Sequence, residues 1–185
     1  MEKVIFIDRD GVINKDPGGW TEYSYVTKWE DFHFLPGVLD ALKKLKNSGY
    51  KVIVISNQAG VSKGYFSKEA LDQVTKKMID AVKTGGGDIQ AVYYCTHSSQ
   101  DNCDCRKPKI GLFEKAKKEL GVNPQGKYFI GDSTVDIEAG LKVGCKTIFL
   151  TTGKVSLEEL KKTDAKPFRI EEGLKDAVDW IIKNE

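Results

Sequence analysis

Five short apolar runs rich in β-branched residues recur along the chain, at Lys3–Ile7, Lys51–Ser56, Ile89–Cys95, Lys127–Gly131 and Lys146–Leu150. Each is too short for a helix and too uniformly apolar for a strand with one wet face, so each reads as a strand buried on both sides. Between them, apolar residues fall at helical spacing: Val38, Leu39, Leu42 and Leu45, then Leu71, Val74, Met78 and Val82, then Leu112, Phe113, Ala116 and Leu120. Pro36 and Gly37 open the first of these helices and Gly49 closes it, Ser67 caps the second, and Gly121 ends the third. Strands alternating with helices imply a parallel sheet with right-handed crossovers and helices on both faces, a three-layer α/β/α Rossmann-like arrangement. A last amphipathic segment, Glu172 to Lys183, is expected to cover it.

A chain of 185 residues is the length of one domain, here 1–185. One stretch escapes the period: residues 15–35 carry Trp20, Tyr23, Tyr25, Trp29, Phe32 and Phe34 among Gly and Pro turn signals, and read as a partly ordered flap after the first strand. No apolar run approaches the ~20 residues of a membrane span. The stretch Val4–Ile7 is cut off by Asp8, so no signal-peptide core forms, and a cytoplasmic protein without a membrane partner is expected. The 29 basic and 27 acidic residues leave a charge of +2, too balanced for a protein held to nucleic acid by phosphate attraction.

Polar residues collect where the strands end. Asp8 and Asp10 follow the first, Ser56 and Asn57 the second, and Asp132 and Asp136 the fourth. Ligands on parallel sheets bind beyond the carboxyl ends of the strands, so these groups converge. Asp8 and Asp10, two apart in extended chain, can share a pocket. Three carboxylates in one place repel unless a cation or a lysine compensates, which favours a hard ion such as Mg²⁺ and makes Lys107 the natural counter-charge. A second group, Cys95-Thr-His97 and Cys103-Asp-Cys105, offers three thiolates and one imidazole around a polar loop, the ligand set of a closed structural zinc site in loop 95–105. The fourth cysteine, Cys145, reads as a small core residue.

Four segments in order, Phe6–Ile13 (FIDRDGVI), Ile55–Gln58 (ISNQ), Arg106–Pro108 (RKP) and Gly131–Asp136 (GDSTVD), resemble the motifs of haloacid-dehalogenase (HAD) superfamily phosphatases. With the zinc loop, the DRDGVIN opening and the NQAGVSKG segment, the chain is similar to the subgroup of heptose 1,7-bisphosphate and histidinol-phosphate phosphatases, its motifs favouring the heptose branch. That resemblance implies a HAD fold without a separate cap domain, and a phosphomonoester hydrolase working through an aspartyl-phosphate. It implies Asp8 as nucleophile and Asp10 as general acid and base. Phosphate and substrate contacts are implied for Ser56, Asn57, Gln58, Lys63, Arg106 and Lys107. Mg²⁺ would be held by Asp8, the Asp10 carbonyl and Asp132, with Asp136 orienting that shell, and Zn²⁺ by Cys95, His97, Cys103 and Cys105. The expected substrate is a small sugar bisphosphate losing its C7 phosphate, with histidinol phosphate or another small phosphomonoester as the alternative, and a monomer is the expected state. Lys63 and Ser133 depart from the arginine and lysine usual in the heptose branch.

Overall fold

A computed structural model describes residues 2–185. The chain runs β1 (Val4–Ile7), α1 (Val38–Asn47), β2 (Lys51–Asn57), α2 (Lys68–Thr84), β3 (Ala91–Cys95) and α3 (Gly111–Leu120), then β4 (Tyr128–Gly131), α4 (Thr134–Lys142), β5 (Lys146–Leu150), α5 (Leu157–Lys161), β6 (Arg169–Glu171) and α6 (Leu174–Asn184). All six strands are parallel, in the order β3-β2-β1-β4-β5-β6. The sheet therefore has one more strand than the five apolar runs. β6 is three residues long on the sheet edge, with Ile170 exposed, so it has no apolar signature to read.

The strand order reverses at β1, which pairs with β2 on one side and β4 on the other. A crevice opens beyond the carboxyl ends at such a switch point, and Asp8 and Asp132 are the residues that follow the two strands flanking it. Alternation along the buried strands sends side chains to two cores. Ile5, Ile7, Val52, Val54 and Ile130 pack with α1, α2 and α6, whereas Val4, Phe6, Ile53, Ile55 and Phe129 pack with α3 and Ala139 of α4. Phe6, Phe113 and Phe129 meet edge to face, with ring centroids 5.2 and 5.1 Å apart. At ~25 cal/mol per Å² of buried apolar surface, these two faces supply most of the driving force for folding.

The 15–35 segment divides in two. Val26 and Phe32 are buried in the first core with Trp29, Phe34 and Leu35 against them, while Asn14 bridges to Phe34. Its outer part, Asp16 to Tyr25, stands over the crevice. In the sequence these aromatics read as one flap, because a non-periodic segment carries no signal separating core from rim. Among the described residues, no helix is long and apolar enough to cross a membrane.

Candidate active site

β1 delivers Asp8 to the crevice floor: its N–H bonds to the Ile130 carbonyl at 2.9 Å, carrying the β1–β4 ladder one residue past the strand. The chain then folds back. The N–H groups of Val12, Ile13 and Asn14 converge on the Arg9 carbonyl at 3.3, 2.8 and 3.1 Å, and Gly11 N–H bonds to the Asn14 carbonyl at 2.7 Å. Gly11 has φ +76°, and a Cβ there would overlap the Asp132 carboxylate; a Cβ on Gly153 would overlap the same carboxylate from the other side. Asp132 thus sits between two backbones that only glycine allows so close.

Lys107 is buried and fully occupied. Its Nζ lies 3.0 Å from Asp8 Oδ2 and 2.5 Å from Asp136 Oδ1, and it donates to the Ile55 carbonyl at 2.8 Å. Asn57 splints the lysine backbone, accepting from Lys107 N–H at 3.0 Å and donating to the Lys107 carbonyl at 3.2 Å. Its side-chain amide thereby ties the Lys107 backbone to the end of β2. Beyond its contact with Lys107, Asp136 accepts through its second oxygen from Ser133 N–H at 3.1 Å and Ser133 Oγ at 2.5 Å, closing the first turn of α4.

Burial pushes the Asp8 carboxyl up to about 6, with Asp136 and Asp10 adding to the rise and Lys107 and Ser56 opposing it. Asp132 is driven well above the usual carboxylate range by burial, then by Asp136 and Asp8. Asp8, Asp132 and Asp136 each present an oxygen within 4.8 Å of the others. One lysine does not neutralise three carboxylates, so the cluster fits a hard divalent cation on its own chemistry.

A cavity of about 370 Å³ opens over this floor. Asp8, Asp10, Ser56, Asn57, Lys63, Arg106, Lys107, Asp132 and Asp136 all line it, with Tyr23, Tyr25 and Tyr65 on one wall. Gln58 does not: it is fully buried beneath Asp10, donating to Asp10 Oδ2 at 2.7 Å and to Ser56 Oγ at 3.4 Å. Lys63 reaches Tyr25 Oη at 3.4 Å, and Arg106 Nη1 donates to the His97 carbonyl at 3.3 Å. Lys154 also lines the cavity and escaped sequence reasoning, since it stands in a polar loop with no local pattern. Arg9 escaped as well, although a lone arginine between apolar strand and DG turn is a readable sign of a buried ion pair.

Cys95, His97, Cys103 and Cys105 come together at the end of β3. The sulfurs lie 3.0, 3.6 and 3.6 Å apart, and His97 Nδ1 lies 3.3 Å from Cys105 Sγ and 3.8 Å from Cys95 Sγ. These exceed the ~2.05 Å of a disulfide and approach the ~3.8 Å sulfur–sulfur edge of a tetrahedron with ~2.3 Å zinc–sulfur bonds. The cluster adjoins the crevice on two sides: Gln58 N–H bonds to the Cys95 carbonyl at 2.7 Å, and Arg106 and Lys107 follow Cys105 directly.

The pattern of the HAD-hydrolase-like family matches residues 104–177. The D-glycero-beta-D-manno-heptose-1,7-bisphosphate 7-phosphatase of Haemophilus influenzae is 38% identical over 161 residues, 83% of this chain and 84% of that protein. The enzyme of the same name from Helicobacter pylori is 36% identical over 180 residues, 97% of each. The chain belongs to the HAD-like phosphatases of the heptose-bisphosphate family. A crystal structure of the D,D-heptose 1,7-bisphosphate phosphatase of B. bronchiseptica, complexed with magnesium and phosphate, superposes with a TM-score of 0.90 over 99% of both chains at 29% identity. No inserted cap interrupts the strand–helix series of this family member among the described residues.

The charge cluster predicts how the metal-free phosphatase responds to pH. Asp8 titrates higher folded than its ordinary 3.8, so its contribution to stability is full below that value and is lost as pH rises through about 6. Metal-stripped protein is expected to melt lower near pH ~7.5 than near pH ~5 by at least ~1 kcal/mol, roughly 2–4 °C at this size. Added Mg²⁺ should close the gap, and differential scanning calorimetry at both pH values checks it. A gap that Mg²⁺ leaves unchanged would remove the carboxylate cluster as its cause.

Proposed function

We propose that this chain is a Mg²⁺-dependent phosphomonoester hydrolase that removes the C7 phosphate of D-glycero-β-D-manno-heptose 1,7-bisphosphate. The observation carrying the reading is Asp8 at the cavity floor, fixed by Lys107 between further carboxylates and open to the cavity. An Asp8 carboxylate oxygen attacks phosphorus in line, forming the Asp8–phosphorus ester bond as the bond to the sugar oxygen breaks. Asp10 gives its proton to the departing oxygen and afterwards takes one from the water that hydrolyses the aspartyl-phosphate, releasing inorganic phosphate and restoring Asp8. Lys107 neutralises charge on Asp8, and Ser56 Oγ, which lines the cavity, donates to a phosphoryl oxygen. Mg²⁺ held by Asp8, Asp132 and the Asp10 carbonyl would supply charge stabilisation as phosphate arrives. The Cys₃His set would hold Zn²⁺ as a structural brace.

Lys63, Arg106 and Lys154 line the same cavity, giving a second phosphate cationic partners beyond the reacting one. The β anomer is the one named for the H. influenzae and H. pylori relatives. A phosphate-release panel of both heptose anomers, histidinol phosphate and fructose 1,6-bisphosphate tests the reading. The β anomer should lead by at least ~100-fold in kcat/KM, about 2.7 kcal/mol. Arg106→Ala and Lys63→Ala should each lower that value ~10-fold or more, with little change for heptose 7-phosphate, which lacks the second phosphate. Flat activity across the panel would discard the heptose assignment.

A further inference from the structure

Arg9 is the largest fully buried side chain, in a position where a strand end ordinarily offers an apolar one. Its planar fork closes on the neighbouring carboxylate, with Nε 3.1 Å and Nη2 2.9 Å from Asp10 Oδ1 and Nη2 3.0 Å from Asp10 Oδ2. Two further buried side chains join it: Asn14 Nδ2 donates to Asp10 Oδ1 at 2.9 Å, and Gln58 Nε2 to Asp10 Oδ2 at 2.7 Å. The fork rests on the Tyr94 ring 5.6 Å away, whose hydroxyl lies 2.9 Å from Thr75 Oγ1.

This is an expensive choice for stability alone, since an ion pair in such a place barely offsets its desolvation and Arg9 Nη1 finds no protein partner. What the arrangement does provide is geometry. Five donor contacts from three buried side chains hold the two oxygens, three on Oδ1 and two on Oδ2, while Asp10 still lines the cavity. We propose that Arg9 and Gln58 are positioning residues that fix the orientation of the Asp10 carboxylate toward the leaving oxygen. The inference rests on the reading of Asp10 as general acid. Gln58 thereby moves from the substrate contact implied by resemblance to a bracket behind the acid.

Leaving groups separate positioning from mere folding. A sugar alkoxide must be protonated as it departs, whereas p-nitrophenolate leaves without help, and kcat/KM reports only steps through transfer to Asp8. Arg9→Lys, which keeps the charge and loses the fork, should cost at least ~100-fold in kcat/KM with a heptose phosphate and under ~3-fold with p-nitrophenyl phosphate. Gln58→Met, nearly isosteric, should show the same asymmetry at about 10-fold and serves where Arg9→Lys folds poorly. Asp10→Asn supplies the benchmark. If it shows the asymmetry and the Arg9 and Gln58 variants lower both substrates alike, or neither, the positioning role is overturned while the acid stands. If Asp10→Asn itself shows no asymmetry, the reading of Asp10 has failed.

Discussion

Asp8→Asn is expected to abolish turnover, by at least ~10⁴-fold in kcat, while leaving the fold intact and raising the melting temperature of the metal-free protein. The two halves have one cause. Asp8 is held among Asp10, Asp132 and Asp136 with a single buried lysine close by, and burial already raises its carboxyl to about 6. An amide of the same shape can still accept from Arg9 N–H, which Asp8 Oδ1 does at 2.7 Å, but it removes one of three clustered carboxylate charges and, with it, the attacking oxygen. A gain of a few degrees, with a smaller stabilisation by Mg²⁺ than in the parent chain, is the signature of a site arranged for chemistry at some expense of stability. Calorimetry with and without Mg²⁺, beside a phosphate-release assay, measures both. A variant that keeps one hundredth of the parent kcat would mean that Asp8 is not the attacking group.

Removing the metal from the cysteine cluster is expected to be nearly as damaging, though no cysteine touches the reacting phosphate. Elemental analysis should find one zinc per chain. Cys105→Ser, or chelation, should lower stability by ~3 kcal/mol or more and kcat/KM by ~100-fold. The route is structural. Lys107 lies two residues beyond Cys105, Lys109 Nζ donates to the Cys103 carbonyl at 2.6 Å, Gly111 N–H bonds to the Asp104 carbonyl at 3.0 Å, and Ser62 N–H bonds to the Thr96 carbonyl at 3.3 Å. Loosening the loop therefore loosens Lys107 and the segment carrying Lys63 together. Zinc-free protein with unchanged melting and unchanged kcat/KM would make the cluster ornamental to the site.

Part of the cavity floor was legible because Asp8 and Asp132 stand at the ends of buried apolar runs, and parallel topology brings such ends together whatever the intervening loops do. Lys107, well beyond β3, was readable only as the counter-charge that clustered carboxylates need, and the four metal-ligand candidates from their local spacing. The helix starts at Ser67 and Pro36–Gly37 were readable for the same local reason; α2 is capped by Ser67, whose Oγ accepts from Ala70 N–H at 3.2 Å. Roles set by tertiary contact were not. Asn57, Gln58 and Asp136 are polar residues at the site, and nothing in their spacing says whether they face a ligand or brace a neighbour; Asn57 and Asp136 bond Lys107 and also line the cavity, whereas Gln58 lies beneath Asp10. Gly153 reads as a loop glycine until Asp132 is seen pressed against it. The three-residue β6 and the division of residues 15–35 between core and rim likewise depend on partners distant in sequence.

The proposed turnover passes through a phosphoryl group carried on Asp8, and the most direct measurement traps it. Asp10→Asn mixed with p-nitrophenyl phosphate and Mg²⁺, then quenched in acid, holds the step that needs no leaving-group proton apart from the hydrolysis that needs a base. A stoichiometric burst of nitrophenol is predicted, with the phosphoryl group found by mass spectrometry on the tryptic peptide Val4–Arg9 and absent when Asp8→Asn is added. Steady nitrophenol release with no burst and no label on that peptide would contradict the account, placing direct attack by water where Asp8 is assigned.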